Sequence, residues 1–227
     1  MGNWKDIWSK RKVLDTDVIT HNDLFKLNGF DGLHSSINEH TIIPALEDYS
    51  NKMGLLPNES IYEIGCGSGA FLYHWYTLNH HVGGCDISES LLEYAAKAIP
   101  NKTWECTEAN KISIKDNYDH VMSFSTFFYF PDYDYAKEVI YRMIMKANKS
   151  ISIFDIPDLE LKNESEAFRK ETIPNYEESY SNLKHLYYPK EWWVNIANEL
   201  GLSAVIYNQN IKGYNNSEWR YNVTISL

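Results

Sequence analysis

The sequence predicts one α/β domain on a doubly wound, mostly parallel sheet of about seven strands, with a C-terminal antiparallel hairpin, a helical N-terminal segment and a lid insertion. Three observations carry this expectation. Short apolar strand segments alternate with helical segments from Ser60 to Phe154. The first strand runs into a glycine-rich turn, Gly65-Cys66-Gly67-Ser68-Gly69, before the next helix. The last two strand segments are joined by a polar Gly/Asn-rich connection with no helix, so they should pair antiparallel.

Each element has its own reason. Met1 to Lys12 reads as an amphipathic helix with Trp4, Ile7 and Trp8 on one face. Glu39 to Met53 carries Ile42, Ile43, Leu46 and Tyr49 at helical spacing, and Gly54 and Pro57 end it. Ser60 to Ile64 is the first strand and Phe71 to Leu78 the helix after the turn. His81 to Cys85 is the second strand, and Ser88 is the N-cap of a helix reaching Ala98. Lys102 to Cys106 and Tyr118 to Phe124 are the third and fourth strands. Tyr135 to Ala147 is a helix, and Lys149 to Phe154 a fifth strand closing at Asp155. A charged insertion follows, with a helix around Leu159 to Lys170. The chain ends in helix Glu191 to Leu200 and strands Ser203 to Tyr207 and Trp219 to Ser226. The divisions expected are an N-terminal cap (1–57), a cofactor core (58–155), a lid (156–190) and the C-terminal helix and strands (191–227).

Composition narrows the function classes. The 227 residues carry a formal net charge of -10, with 21 basic and 31 acidic side chains. Such a balance speaks against broad binding of nucleic acid or an anionic membrane. No apolar run reaches the length of a membrane span, and the first residues do not form a signal peptide. Three scattered cysteines, Cys66, Cys85 and Cys106, suit a reduced, cytoplasmic protein. No metal-ligand spacing occurs: His80-His81 reads as a solvated pair before a strand.

The chemistry is concentrated at the turn. Glycines between a strand and a helix let the backbone approach a ligand closely. Asp86, about 20 residues on at the end of the next strand, is placed to bind both hydroxyls of a ribose. A nucleoside-containing cofactor is therefore expected. Gly65-x-Gly67-x-x-Ala70 also satisfies a looser dinucleotide pattern. S-adenosylmethionine is favoured because Glu63 stands two residues before the first glycine, where an ammonium suits it and a pyrophosphate would be repelled. Glu108-Ala109 follows the third strand, where an acid can accept from an adenine amino group. The antiparallel sheet end also departs from a second dinucleotide-binding half.

These motifs together resemble the class I S-adenosylmethionine-dependent methyltransferase family. The resemblance runs from Ile61 to Asp132: the Glu63-x-Gly-Cys-Gly-x-Gly turn, Asp86-Ile87-Ser88, Glu108-Ala109, and Tyr118-Asp119-His120-Val121-Met122-Ser123 leading to Phe130-Pro131-Asp132. It implies a Rossmann-like fold and a cofactor site of Glu63, Gly65, Cys66, Gly67, Gly69, Asp86, Ile87, Glu108, Ala109, Ser123 and Phe124. The family's usual Asp after strand three is Glu108 here, and its common His near the end of the fourth motif is Tyr129.

Methyl transfer to a neutral hydroxyl or a protonated amine needs a base. His34, in the polar Asp31 to Ser36 segment, is the first candidate and His185 the second. Asp155 is a third, with a turn-capping role the simpler reading, and Tyr129 is expected to line the acceptor pocket. Arg220 is either a surface arginine or a clamp for an acceptor carboxylate or phosphate. Cys85 and Cys106 read as core residues. The expected activity is methyl transfer to a small-molecule acceptor, first an oxygen on a saccharide or related metabolite. A small amine is the alternative acceptor, and a non-catalytic cofactor-binding protein the alternative class. A monomer or homodimer is expected.

Overall fold

The computed structural model describes residues 4–8, 19–30, 37–176, 178 and 183–227. Its centre is a seven-stranded sheet: β1 (Ser60–Ile64), β2 (His81–Asp86), β3 (Thr103–Cys106), β4 (Tyr118–Phe124), β5 (Ala147–Pro157), β6 (Ser203–Asn208) and β7 (Arg220–Ser226). The strand order is β3-β2-β1-β4-β5-β7-β6. β1 pairs parallel with β2 and β4, and β4 with β5, while β7 runs antiparallel between β5 and β6. The order reverses between β1 and β4. In open α/β sheets ligands sit outside the carboxyl ends at that point.

Register places the chemistry in one row. Ile64 lies beside Cys85 and Ser123, and Phe124 beside Phe154. The next residues, Gly65, Asp86, Ser125 and Asp155, therefore share the carboxyl edge of the sheet.

Helices cover both faces: α1 (Trp4–Trp8), α2 (His21–Leu27), α3 (Glu39–Met53), α4 (Leu72–Thr77), α5 (Glu89–Ala98), α6 (Tyr133–Lys146), α7 (Lys162–Thr172) and α8 (Lys190–Glu199). α3 starts at Asn38, whose side chain accepts from the His40 and Thr41 amides, and stops at Gly54 in the left-handed conformation. Its Ile42, Leu46, Tyr49 and Met53 join Ile61, Phe71 and Phe124 in one core layer. The opposite layer gathers Ile64, Val121, Val139, Ile140, Ile153, Trp193 and Val223. Burying one Leu or Ile side chain contributes roughly 1.5–3 kcal/mol, so the alternation of sides along each strand fixes the register.

Four expectations need correction. First, β5 does not close at Asp155. Its pairing with β7 shifts between Ile153 and Ile156, and Asp155 sits in that irregularity at φ +63° before the strand resumes to Pro157. Second, α2 has no counterpart in the periodicity, because seven residues are too few to display it. Its signal was the Thr20/Asp23 capping box, in which each side chain bonds the other's backbone amide. Third, His80 is buried, with Nδ1 2.8 Å from the Glu59 carbonyl, whereas His81 is the exposed one. Fourth, Cys106 is exposed while Cys66 and Cys85 are buried. Within the N-terminal segment, Trp8 packs against the core but Ile7 is exposed.

Candidate active site at the carboxyl edge of the sheet

The Gly-rich turn is shaped by its glycines. Gly65, Gly67 and Gly69 all have positive φ. A Cβ on Gly67 would lie 2.4 Å from Asn28 Oδ1, so a side chain there is excluded by space as well as by conformation. Asn28, just past α2, braces the turn. Its Nδ2 donates to the Cys66 carbonyl at 3.3 Å, and its Oδ1 accepts from the Ser68 amide at 2.8 Å and the Ser68 hydroxyl at 2.9 Å. His21 Nε2 adds a 2.8 Å contact to the Ala70 carbonyl. Sequence reading missed this contribution of α2.

Glu63 is the most informative side chain. It is 0% exposed, and neither carboxyl oxygen has a hydrogen-bond partner among the described residues. Burial first, then the Asp86 charge, pushes its carboxyl well above the usual range. A buried polar group left unmatched costs about 1–3 kcal/mol, and more for a charge. A cationic donor ligand would remove that cost. Asp86, half-buried, accepts from the Gly67 amide at 2.8 Å and the Ser88 amide at 2.8 Å, one on each oxygen. A carboxylate has roughly four acceptor positions, so two remain for a pair of hydroxyls. Burial raises its pKa, opposed by these backbone donors. The residues present thus fit a nucleoside that carries an ammonium.

The other cofactor candidates are placed less pointedly. Cys66 is buried in the turn, its thiol pushed well up by burial, which suits packing rather than nucleophilic work. Glu108 is exposed and pairs with Lys111 at 2.7 Å. Ala109 is buried and Ile87 half-buried beside the same edge. Ser123 donates to the Ile64 carbonyl at 2.9 Å, and the Phe124 ring stacks on Phe71 at 3.9 Å. Those two side chains face the core, so any ligand contact from them would come from the backbone.

At the loop after β4 three distant segments meet. Trp4 of α1 lies 4.5 Å from Tyr129 and 5.1 Å from His185, between ring centroids. Phe128 lies 4.7 Å from His185. The Trp8 carbonyl accepts from Ser88 Oγ at 3.2 Å, which ties α1 to the end of β2. The Leu186 amide donates to the Phe128 carbonyl at 2.9 Å. The N-terminal helix and the insertion therefore meet at the loop after β4.

His185 is brought into this cluster, but its geometry suits donation. Arg169 Nη1 is 2.8 Å from His185 Nδ1. A guanidinium has no acceptor, so Nδ1 must supply the lone pair. Burial, then the Arg169 and Arg220 charges, hold its pKa well below 6.5. The neutral ring then carries its proton on Nε2 and can donate there, not abstract. His34 lies outside the described residues.

Arg220 is not a surface residue: it is 6% exposed, with its guanidinium carbon 4.5 Å from the Phe128 ring centroid. Its Nη1 donates to the Asp155 carbonyl at 3.2 Å. Asp155 itself is buried and accepts from Gln209 at 2.7 Å, Tyr214 at 3.0 Å and Ser125 at 2.5 Å. No cluster able to hold a metal ion occurs among the described residues.

Residues 61–146 match the family model described as a methyltransferase domain. No curated protein matches the chain. Among solved structures, the chain is similar to the Synechocystis magnesium protoporphyrin IX methyltransferase with bound S-adenosylhomocysteine, at 16% identity over 90% of this chain and 96% of that one, TM-score 0.58. It is similar to an amino pentose methyltransferase from Micromonospora echinaspora with bound S-adenosylmethionine, at 11% identity over 81% and 90%, TM-score 0.60. The plantazolicin methyltransferase, in complex with a substrate analogue and S-adenosylhomocysteine, matches at 17% identity over 83% and 85%, TM-score 0.64.

Proposed function

We propose that this chain, whose residues 61–146 match a methyltransferase-domain model, transfers a methyl group from S-adenosylmethionine to a small polar acceptor, first an oxygen on a saccharide or related metabolite. The observation that carries this reading is Glu63, fully buried at the Gly-rich turn with both oxygens unpartnered among the described residues. In this reading it takes the amino group of the cofactor's methionine part, and Asp86 takes the ribose hydroxyls. When bound, S-adenosylmethionine supplies a methyl group on a cationic sulfonium, an electrophile that needs alignment more than activation. Trp4, Tyr129 and His185 close over the loop after β4 and exclude water from the reacting atoms.

The acceptor assignment rests on the chemistry of this cluster. The aromatic faces of Trp4, Phe128 and Tyr129 stand beside the polar ring of His185, a mixture that suits a hydroxylated ring. A similar solved structure is an amino pentose methyltransferase, and another is a plantazolicin methyltransferase in complex with a desmethyl-plantazolicin analogue. A small amine is the second acceptor class. Unpaired cysteines favour a reducing, cytoplasmic setting, and no described helix is long and apolar enough to cross a membrane.

Calorimetry with S-adenosylhomocysteine tests the cofactor assignment. The wild-type protein should bind it, and Asp86→Ala should weaken binding about a hundredfold or more, the loss of two charge-assisted hydrogen bonds. Unchanged affinity in Asp86→Ala would remove the ribose assignment. Methyl transfer into fractionated metabolites, split into neutral saccharides and amines, then separates the two acceptor classes.

A further inference from the structure

Ser125 and Asp155 form a hydrogen-bonded pair at the carboxyl edge of the sheet. Ser125 follows Phe124, the last residue of β4, and Asp155 follows Phe154 of β5, and those two phenylalanines are register partners. Both are non-glycine residues in the left-handed region, Ser125 at φ +52° and Asp155 at φ +63°. Such a conformation costs about 1–3 kcal/mol and persists where the surroundings impose it. Here they do. The Ser125 amide donates to the Phe154 carbonyl at 3.2 Å, and the Asp155 amide donates to Asn222 Oδ1 at 2.9 Å.

The two side chains meet at 2.5 Å, Ser125 Oγ to Asp155 Oδ2. A carboxylate only accepts, so the serine proton is committed to Asp155. The serine oxygen is left with lone pairs alone. Asp155 is 1% exposed, whereas Ser125 is half-buried. Asp155 cannot swing away, because Gln209 and Tyr214 also donate to it and Arg220 Nε lies 3.8 Å from its Oδ1. Next along the chain, Thr126 donates to the Phe124 carbonyl at 3.0 Å and to the Gly65 carbonyl at 3.4 Å. Ser125 and Thr126 together therefore link the first glycine of the cofactor turn to the buried acid.

We propose that Ser125, held by Asp155, receives the hydrogen bond of the methyl acceptor and passes on its proton, so that the acceptor must be a proton-bearing oxygen or nitrogen rather than a carboxylate. This rests on the methyl-transfer reading. The acceptor's lone pair forms the new bond to the methyl carbon, and the electrons of the breaking carbon–sulfur bond stay on sulfur. The acceptor proton moves to Ser125 Oγ as the serine proton moves to Asp155 Oδ2. The carboxyl later returns it to water. Ser125 is the catalytic residue of the pair, and Asp155 acts through it as a positioning residue.

The test needs no identified acceptor. Sinefungin carries a primary amine where S-adenosylmethionine carries its methyl, and S-adenosylhomocysteine carries nothing there. Calorimetry compares both ligands on wild-type, Ser125→Gly and Asp155→Asn proteins. Glycine suits φ +52°, so Ser125→Gly should melt no lower than wild type. The expected result is a sinefungin affinity lower by about tenfold in Ser125→Gly, with S-adenosylhomocysteine within about twofold. Asp155→Asn should move the same ratio in the same direction. An unchanged ratio in Ser125→Gly overturns the proposal, because the pair would then not face the methyl position. Failure of the wild-type protein to bind either ligand overturns the methyl-transfer reading and this proposal with it.

Discussion

Strand β1 has a glutamate at each end, and the two live in opposite conditions. Glu59, just before the strand, accepts from the Leu56 amide at 2.8 Å, stands 2.8 Å from His120 Nε2 and pairs with Lys149. Glu63, four residues on, has no partner among the described residues for either oxygen. Burial works on both. At Glu59 burial pushes upward, but Lys149, the Leu56 amide and His120 outweigh it and hold the carboxyl down at about 2. At Glu63 burial and the Asp86 charge act together and push it well up. The amino edge of the sheet is thus satisfied by the chain itself. The carboxyl edge leaves both oxygens of Glu63 without a partner among the described residues, which is the mark of a ligand-binding end.

Replacing Glu63 should break this contrast most strongly. In Glu63→Gln the affinity for S-adenosylhomocysteine should fall about tenfold to hundredfold, the worth of a charge-assisted bond to an ammonium. Stability should move the other way. A group whose folded pKa is raised contributes stability that is present below its unfolded pKa and lost as pH rises through the folded pKa. Glutamine never ionises, so the melting temperature of Glu63→Gln relative to wild type should climb with pH. Binding lost and stability gained in one variant would mark Glu63 as held for a ligand. Loss of both would mean that it supports the fold.

The two ends also differ in how far sequence could reach them. Glu63 and Asp86 were legible because strand ends, glycines and acids fall within about 20 residues and obey a fixed spacing. α3 was legible because Asn38 and Gly54 bound a helical stripe. His120 was not: inside β4 it looks like one more strand residue, and its partners Glu59 and Ser150 are 61 and 30 positions away. Ser125, and its meeting with the candidates Asp155 and Arg220, stayed hidden for a related reason. β7 inserts between β5 and β6, and this brings Arg220 and Asn222 to Asp155 across 65 and 67 positions. Local pattern carries no record of such a meeting, and nothing in the sequence places Asp155 inside a strand irregularity rather than at a turn.

A second, smaller effect should appear at the satisfied end. Glu59→Gln should cost about 1–3 kcal/mol of stability at neutral pH, because His120 loses a charged partner in a buried site. The sign with pH is opposite to that of Glu63. A depressed carboxyl contributes stability above its unfolded value, and this is lost as pH falls through the folded value. Denaturant melts of wild type and Glu59→Gln should therefore converge between about pH 4.3 and pH 2, while cofactor affinity stays unchanged. A Glu59→Gln protein that also bound cofactor poorly would show that the two ends are coupled, and the division between them would fail.

Lys149→Ala should have the smallest effect, and it separates the two supports of Glu59. The Lys149 side chain is 47% exposed, whereas His120 is 1% exposed. An ion pair with one partner in water contributes about 0–1 kcal/mol and is screened by salt. His120 is held at both nitrogens, by Glu59 on one side and by Ser150 at 2.8 Å on the other, so its bond to Glu59 has little freedom to lose. Lys149→Ala should therefore destabilise by less than about 1 kcal/mol, and the difference should shrink in high salt. A loss matching that of Glu59→Gln would mean that Glu59 depends on a surface charge rather than on a buried network. The amino edge would then be as exposed to its surroundings as the carboxyl edge is to its ligand.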